Sequence, residues 1–184
     1  MTSCLRIILV SLIVLAPLAA CSNLPTLPTE PSSYRLGAGD TVEIKVIGAD
    51  ELNGRYSVQD DGTVKMLLIG SVPAANLTPT ELENEIDQKL AAGQYLKQPK
   101  VSVVLWQYRP FFIMGEVPGQ GAYPYVPGMR VLTAAAAAGG YTRRASQDYV
   151  IITRNGQDYK ADPMTPIQPG DIIQVPASTL ESVL

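Results

Sequence analysis

Turn-forming residues punctuate this chain at short intervals, and their spacing limits the length of any helix or strand. The 184 residues contain 15 glycines and 15 prolines. Between them lie short runs in which apolar and polar residues alternate, the pattern of half-buried strands. These features predict an α+β protein built from small mixed sheets, with one main helix in its first half.

The main helix is specified at both ends. Thr78 is the predicted N-cap, with Pro79 at the first helical position and Glu81 completing a capping box. Gly93 is the predicted stop. The glutamates of this segment are expected to be solvated and to favour the helix dipole. The apolar residues at helical spacing, which form the expected buried stripe, are Leu82, Ile86 and Leu90.

A glycine–aspartate pair leads into an alternating apolar run near both ends of the folded part. Gly39 and Asp40 form the first pair, and Gly170 and Asp171 form the second. Glycine adopts positive φ without penalty, and aspartate accepts hydrogen bonds from nearby backbone N–H groups. We therefore assign these four residues to turns with a structural role.

Two further turn signals predict hairpins. Asp61 and Gly62 lie between the β-prone runs 55–58 and 63–68, and Asn155-Gly156 lies between two later runs. Asp-Gly and Asn-Gly favour the tight turns that join antiparallel neighbours.

A shorter helix is expected from about residue 129 to residue 138, since its alanines allow close packing on a sheet.

The first 20 residues have the features of a secretion signal. A positive residue precedes an aliphatic run, and the stretch ends in Leu18-Ala19-Ala20-Cys21, which resembles a bacterial lipobox. Cleavage before Cys21 would leave a lipidated first residue, whose acyl chains anchor a protein stably. Ser22 favours the outer membrane, with the fold facing the periplasm. An ordinary secretory signal with an incidental cysteine is the alternative.

Residues 21–33 are expected to form a proline-rich, semi-rigid tether.

Composition excludes several function classes. The chain has no histidine, and its two cysteines are Cys4, which leaves with the signal, and Cys21. Histidine-dependent catalysis and the commonest zinc ligands are therefore absent, and we predict no metal and no cofactor. The net charge is −3 and no basic tract exists, which argues against nucleic acid as a partner. Carboxylate-only catalysis would rest on Asp60, Asp61 and Glu116, two of which lie in a tight turn, so we expect no enzyme.

The ordered set of short motifs resembles the outer-membrane polysaccharide export family. Residues 34–108 are similar to its export domain, and residues 109–176 are similar to a soluble-ligand-binding β-grasp (SLBB) domain. The motifs of the first unit are Tyr34-x-Leu36-x-x-Gly39-Asp40-x-Val42-x-Ile44-x-Val46, Asp61-Gly62-x-Val64, Ile69-Gly70, Leu77-Thr78 with Glu81-Leu82, and Pro99-x-Val101-x-Val103. Those of the second unit are Gly115-Glu116-Val117, Gly121-x-Tyr123, Ala138-Gly139-Gly140, Ala145, Arg154 and Pro169-Gly170-Asp171-x-Ile173-x-Val175-Pro176. The family often has proline where Leu67 and Gln120 stand.

The resemblance implies a function without catalytic residues. Members of this family are expected to form a homo-oligomeric ring around a polysaccharide conduit and to work with an inner-membrane polysaccharide co-polymerase. Long members end in an amphipathic helix that crosses the outer membrane. The tail 177–184 is too short for such a helix, so we expect reliance on the lipid anchor and, as a further candidate partner, a separate outer-membrane porin. A monomeric glycan- or protein-binding lipoprotein is the alternative.

Four residues of the second unit are candidates for glycan or partner contacts. Glu116 and Arg154 either pair with each other in a structural role or line a ligand surface. Tyr123 and Tyr125, with other aromatic residues such as Tyr108, either stack on sugar rings or pack in the core.

Overall fold

The computed structural model describes residues 25–27, 34–96 and 98–178. The predicted signal, Cys21, most of the predicted tether and the end of the predicted tail lie outside these residues. Within them the chain forms ten strands, two α-helices and one short 3₁₀ helix. The α+β prediction is confirmed. In order, the elements are β1 (Thr41–Val46), the 3₁₀ helix (Asp50–Leu52), β2 (Gly54–Ser57), β3 (Thr63–Met66), β4 (Gly70–Pro73), α1 (Pro79–Ala92), β5 (Val101–Gln107), β6 (Phe111–Gly115), β7 (Gly121–Tyr123), α2 (Val131–Ala137), β8 (Val150–Arg154), β9 (Gln157–Ala161) and β10 (Ile172–Val175).

The first unit packs α1 against two small sheets. One sheet is antiparallel in the order β2-β1-β5, and the other is the β3-β4 ribbon. The alternation of β1 buries Val42, Ile44 and Val46, as its sequence predicts. The predicted stripe of α1 is fully buried against them. This shared core holds the unit together because each element buries one apolar face.

The predicted ends of α1 are confirmed. Thr78 Oγ1 accepts from the Glu81 N–H, and Glu81 Oε2 accepts from the Thr78 N–H at 2.7 Å, which completes the capping box. Gly93 is the C-cap, and the left-handed residue is the next one, Gln94, with φ of 57°.

The second unit is a five-stranded mixed sheet in the order β7-β6-β10-β8-β9, with α2 on one face. β6 and β10 run parallel, and the other neighbours are antiparallel. Ala134, Ala135 and Ala138 are buried where α2 meets the core. The Asn155-Gly156 hairpin is confirmed, since it joins β8 to β9 and both residues have positive φ.

The predicted hairpin at Asp61-Gly62 is wrong in its strand pairing. β2 pairs with β1, and β3 pairs with β4, so this tight turn connects two different sheets. β4 was not predicted, because it buries only Val72 and carries no alternating pattern. β3 ends at Met66, before the predicted Leu68, since Leu68 has φ of 66° and turns the chain into β4.

Part of the predicted tether is packed against the second unit. Thr26 forms a parallel bridge with Lys160 in the edge strand β9, and the Lys160 N–H donates to the Pro25 carbonyl at 3.1 Å. Leu27 is only 7% exposed and belongs to the core of the second unit. Residues 25–27 are therefore part of the fold and not a free spacer.

Replacing Leu27 with alanine is expected to destabilise the second unit. The substitution removes a buried side chain and leaves a cavity, which costs about 2 kcal/mol or more. Thermal unfolding followed by circular dichroism would show a lower Tm. Thr26→Ala is the matched control, because Thr26 is exposed and only its backbone forms the bridge. Equal Tm values for both variants would contradict the packing of Leu27.

Candidate functional site

The turn before β1 is built around a buried carboxylate. Asp40 is fully buried, and its Oδ2 accepts from the Gly37 N–H at 2.8 Å. The Tyr34 hydroxyl donates to the same oxygen. Arg109 supplies both its backbone N–H, at 2.8 Å from Oδ1, and Nη1, at 3.1 Å from Oδ2. A buried carboxylate with this many donors has its charge fully compensated.

The turn before β10 repeats this design. Asp171 is 1% exposed, and its Oδ2 accepts from the Gln168 N–H at 2.7 Å. Arg154 binds both carboxylate oxygens, through Nε at 2.8 Å and Nη2 at 2.7 Å. The similarity of the two Gly-Asp sequences thus extends to a shared structure. Each aspartate accepts from the N–H group three residues earlier and pairs with one arginine.

Arg109 joins the two turns. Its Nη1 binds Asp40 in the first unit, while its Nε donates to the Pro169 carbonyl in the second at 3.1 Å. A Cβ added at Gly37 would lie 2.1 Å from Nη1, and one added at Gly170 would lie 2.5 Å from Nε. The guanidinium therefore occupies a slot between two glycines and ties the units together.

A substitution at Gly170 should test this slot. Gly170→Ala forces alanine into positive φ and also meets the Arg109 side chain. Gly156→Ala is the matched control, because Gly156 has φ of 78° and a Cβ there would meet nothing within 4 Å. The control should cost about 1–2 kcal/mol for the left-handed conformation alone, and Gly170→Ala should cost distinctly more. Urea unfolding measures both, and equal costs would mean that Arg109 moves aside freely.

A cleft of about 910 Å³ lies where the two units meet. Its walls come from the segment before β1, the β4–α1 loop, the linker 108–109, the loop after β7, the β8–β9 turn and the loop before β10. Tyr108 packs edge to face on Tyr34 and Tyr125, with ring centroids 5.0 and 5.2 Å apart. These three tyrosines form an aromatic array, with one ring from each unit and one from the linker.

Tyr34 and Tyr125 remain protonated at neutral pH because burial raises the pKa of each. Burial, followed by the hydrogen bond to Asp40, raises the pKa of Tyr34 well above its ordinary value of 10.0. Burial also raises the pKa of Tyr125. Their hydroxyl groups are therefore neutral hydrogen-bonding groups and not bases.

The predicted contact residues do not form one site. Arg154 and Tyr125 line the cleft, but Glu116 and Tyr123 do not. The alternative in which Glu116 pairs with Arg154 is wrong, because Arg154 is held by Asp171 and Glu116 accepts from Thr142 Oγ1 at 2.5 Å.

Tyr123 is half-buried and packs against the core of the second unit. Its ring stacks on Phe111, with centroids 5.9 Å apart, and its hydroxyl donates to the Gly119 carbonyl at 2.8 Å. Of the two predicted aromatic contact residues, only Tyr125 lines the cleft.

Asp61 and Gly62 shape their turn. Asp61 Oδ1 accepts from the hydroxyl and the backbone N–H of Thr63, and these bonds, the hydroxyl first, lower the pKa of the aspartate. A Cβ added at Gly62 would lie 2.8 Å from that of Ala75. The Asp61 carboxylate is thus engaged locally.

Two acidic residues of α1 serve a role that the sequence did not indicate. Glu83 Oε1 accepts from the Val103 N–H at 2.8 Å. It therefore supplies a hydrogen-bond acceptor to a backbone N–H on the open edge of β5 and is not simply a solvated residue. Asp87 lies one turn later. Burial and, to a smaller extent, the nearby Glu83 raise its pKa, while the Val101 N–H lowers it. The helix thereby covers this sheet edge, a common protection against edge pairing.

Residues 34–96 and 98–178, with the short stretch 25–27, hold no cluster of acidic side chains suited to a metal ion. No helix in that part of the chain is long and apolar enough to cross a membrane.

Comparison with known proteins identifies two matched stretches. Residues 28–105 match the family described as polysaccharide biosynthesis/export protein, and residues 110–168 match the SLBB domain. The exopolysaccharide production protein ExoF of Rhizobium meliloti (strain 1021) is 33% identical over 152 residues, which cover 74% of this chain and 36% of that protein. The chain therefore spans about a third of this relative's length. Arg109 lies between the two matched stretches.

Proposed function

Because this chain belongs to the polysaccharide biosynthesis/export family and carries one SLBB domain, we propose that it is an outer-membrane lipoprotein of a polysaccharide export system. In this proposal it forms a homo-oligomeric ring in the periplasm through which a capsular polysaccharide or exopolysaccharide passes. The observation that carries the proposal is the order of the two matched stretches, which together extend from residue 28 to residue 168.

The chemistry of the described residues supports a conduit without catalysis. Of the three carboxylates that are candidates for glycan hydrolysis, Asp60 is exposed in a turn, and Asp61 and Glu116 are each hydrogen-bonded to a threonine hydroxyl. The buried carboxylates Asp40 and Asp171 are each paired with an arginine. A pair of catalytic carboxylates needs one free acid and one free base or nucleophile.

The proposed lipid at Cys21 would hold the second unit near the membrane. Pro25, four residues later, contacts the edge strand β9. Four extended residues span about 14 Å at most. The β9 edge would therefore lie close to the outer membrane, and the first unit would lie farther into the periplasm, toward an inner-membrane co-polymerase. A separate porin would continue the path across the outer membrane.

Exposed apolar residues support an assembly of several copies. Phe112 and Met114 are each 43% exposed on the sheet face opposite α2, and Trp106 is 52% exposed on the first unit. Arg55 lies 3.5 Å above the Trp106 ring. Different surfaces on the two units suit a head-to-tail contact, which must close into a ring.

Lipidation is tested by labelling. Cys21→Ser should abolish incorporation of radioactive palmitate, because the thiol that receives the lipid is gone. Cys4→Ser is the matched control and should leave labelling unchanged, since Cys4 leaves with the signal. Labelling that persists in Cys21→Ser would contradict the lipobox assignment.

The export role is tested in a strain that lacks this chain. External polymer should be lost while intracellular polymer synthesis continues, and the intact gene should restore it. Native mass of the full-length protein in detergent separates the alternatives: a ring is expected, whereas a monomer with unchanged external polymer would favour a glycan- or protein-binding lipoprotein.

A further inference from the structure

Neutral hydrogen-bonding side chains line the cleft between the two units. Asn76, Asn155 and Gln168 contribute side-chain amides, and Tyr108 contributes its hydroxyl group. None of these four groups has a hydrogen-bond partner among residues 25–27, 34–96 and 98–178. They come from both units and from the linker between them. The cleft therefore presents several donors and acceptors whose bonding capacity is unused within this part of the chain.

The charged side chains of the cleft, by contrast, are already paired. Arg35 Nη1 lies 3.2 Å from Glu81 Oε2, and the two other cleft arginines, Arg109 and Arg154, are held by buried aspartates. Each guanidinium therefore has a carboxylate partner. An anionic ligand would have to compete with these carboxylates, whereas an uncharged ligand would not.

The aromatic array adds apolar surface to the polar groups of the cleft. Tyr34, Tyr108 and Tyr125 are half-buried and lie along one wall of the cleft. Aromatic rings bury apolar ligand surface and hold their geometry through few rotatable bonds. A volume of about 910 Å³ lies within the usual range of small-ligand sites.

We propose that this cleft binds uncharged pyranose units of a polysaccharide, with the tyrosine rings against the C–H faces of the sugar and the amides on its hydroxyl groups. Sugars combine these two kinds of surface, which matches the unpaired amides and the aromatic wall. The inference rests on the proposed export function and assigns a substrate class to the cleft. Arg35, Arg109 and Arg154 hold the walls in place and are positioning residues.

Two asparagines allow a test that leaves the backbone unchanged. Asn76 and Asn155 have φ of 65° and 52°, a left-handed conformation that glycine adopts readily. Asn76→Gly and Asn155→Gly therefore remove an amide without forcing a new turn. Gln94→Gly is the matched control, because Gln94 has φ of 57° and is exposed at the end of α1, outside the cleft.

The experiment measures binding of soluble hexasaccharides to the full-length protein in detergent by saturation-transfer NMR. Cellohexaose, isomaltohexaose and chitohexaose are the uncharged probes, and hexagalacturonate is the anionic one. At least one uncharged probe should bind, and hexagalacturonate should bind more weakly. Each asparagine variant should weaken binding about three- to tenfold, as expected for one lost hydrogen bond, while Gln94→Gly should not change it.

Three results would contradict the proposed sugar-binding site. They are binding of hexagalacturonate alone, no binding of any uncharged probe, and equal affinity of Asn155→Gly and Gln94→Gly for the sugars. A change in native mass in the asparagine variants without a change in sugar binding would mean that another copy of the chain fills the cleft. Polymer export in the complemented strain is measured separately. Export with no sugar binding would reject the site alone, and binding with unchanged polymer in the deletion strain would reject the export role alone.

Discussion

The guanidinium of Arg109 is the interaction on which the arrangement of the two units depends. It compensates a fully buried carboxylate, Asp40, and at the same time binds a backbone carbonyl at the start of the other Gly-Asp turn. A buried carboxylate that loses the cation paired with it is costly, by roughly 3–5 kcal/mol in comparable pairs. Because that cation also contacts the second unit, separating the units would disturb the first unit's own turn. The relative position of the two sheets, and with it the cleft, is therefore coupled to the stability of the first unit.

Local signals predicted the elements of this fold well, and long-range pairing poorly. The capping box at Thr78, the buried stripe of α1 and the alternation of β1 follow from periodicity and backbone chemistry within a few residues. The Asp61-Gly62 turn was found, but not its role as a link between two sheets, because a turn sequence does not say which strand lies next to which. The sequence carries no periodic signal for β4, because this strand buries one side chain only.

The candidate site was only partly predictable for the same reason. The two Gly-Asp turns were recognised as a pair, yet the arginines that complete them come from positions far along the chain, Arg109 and Arg154. In the sequence, Arg109 marks only the boundary between the units, and Tyr108 is one of several aromatic residues that could stack on a sugar or pack in the core. The edge-covering role of Glu83 was missed because a glutamate on a helix surface looks the same in sequence whether it faces water or a neighbouring strand.

The docking of Leu27 makes the second unit discontinuous in sequence. Its core contains a side chain that precedes the whole first unit, together with strands that follow it. During synthesis the segment 25–27 emerges before the first unit, and its binding groove exists only after β9 has emerged and paired. The first unit can form its contacts earlier. The second unit must wait until residues 25–27 meet β9, and contacts between residues so far apart in sequence form more slowly than local ones. A chain that ended before β9 would therefore leave residues 25–27 without their docking site. A strand that is synthesised late thus determines whether this early segment can pack.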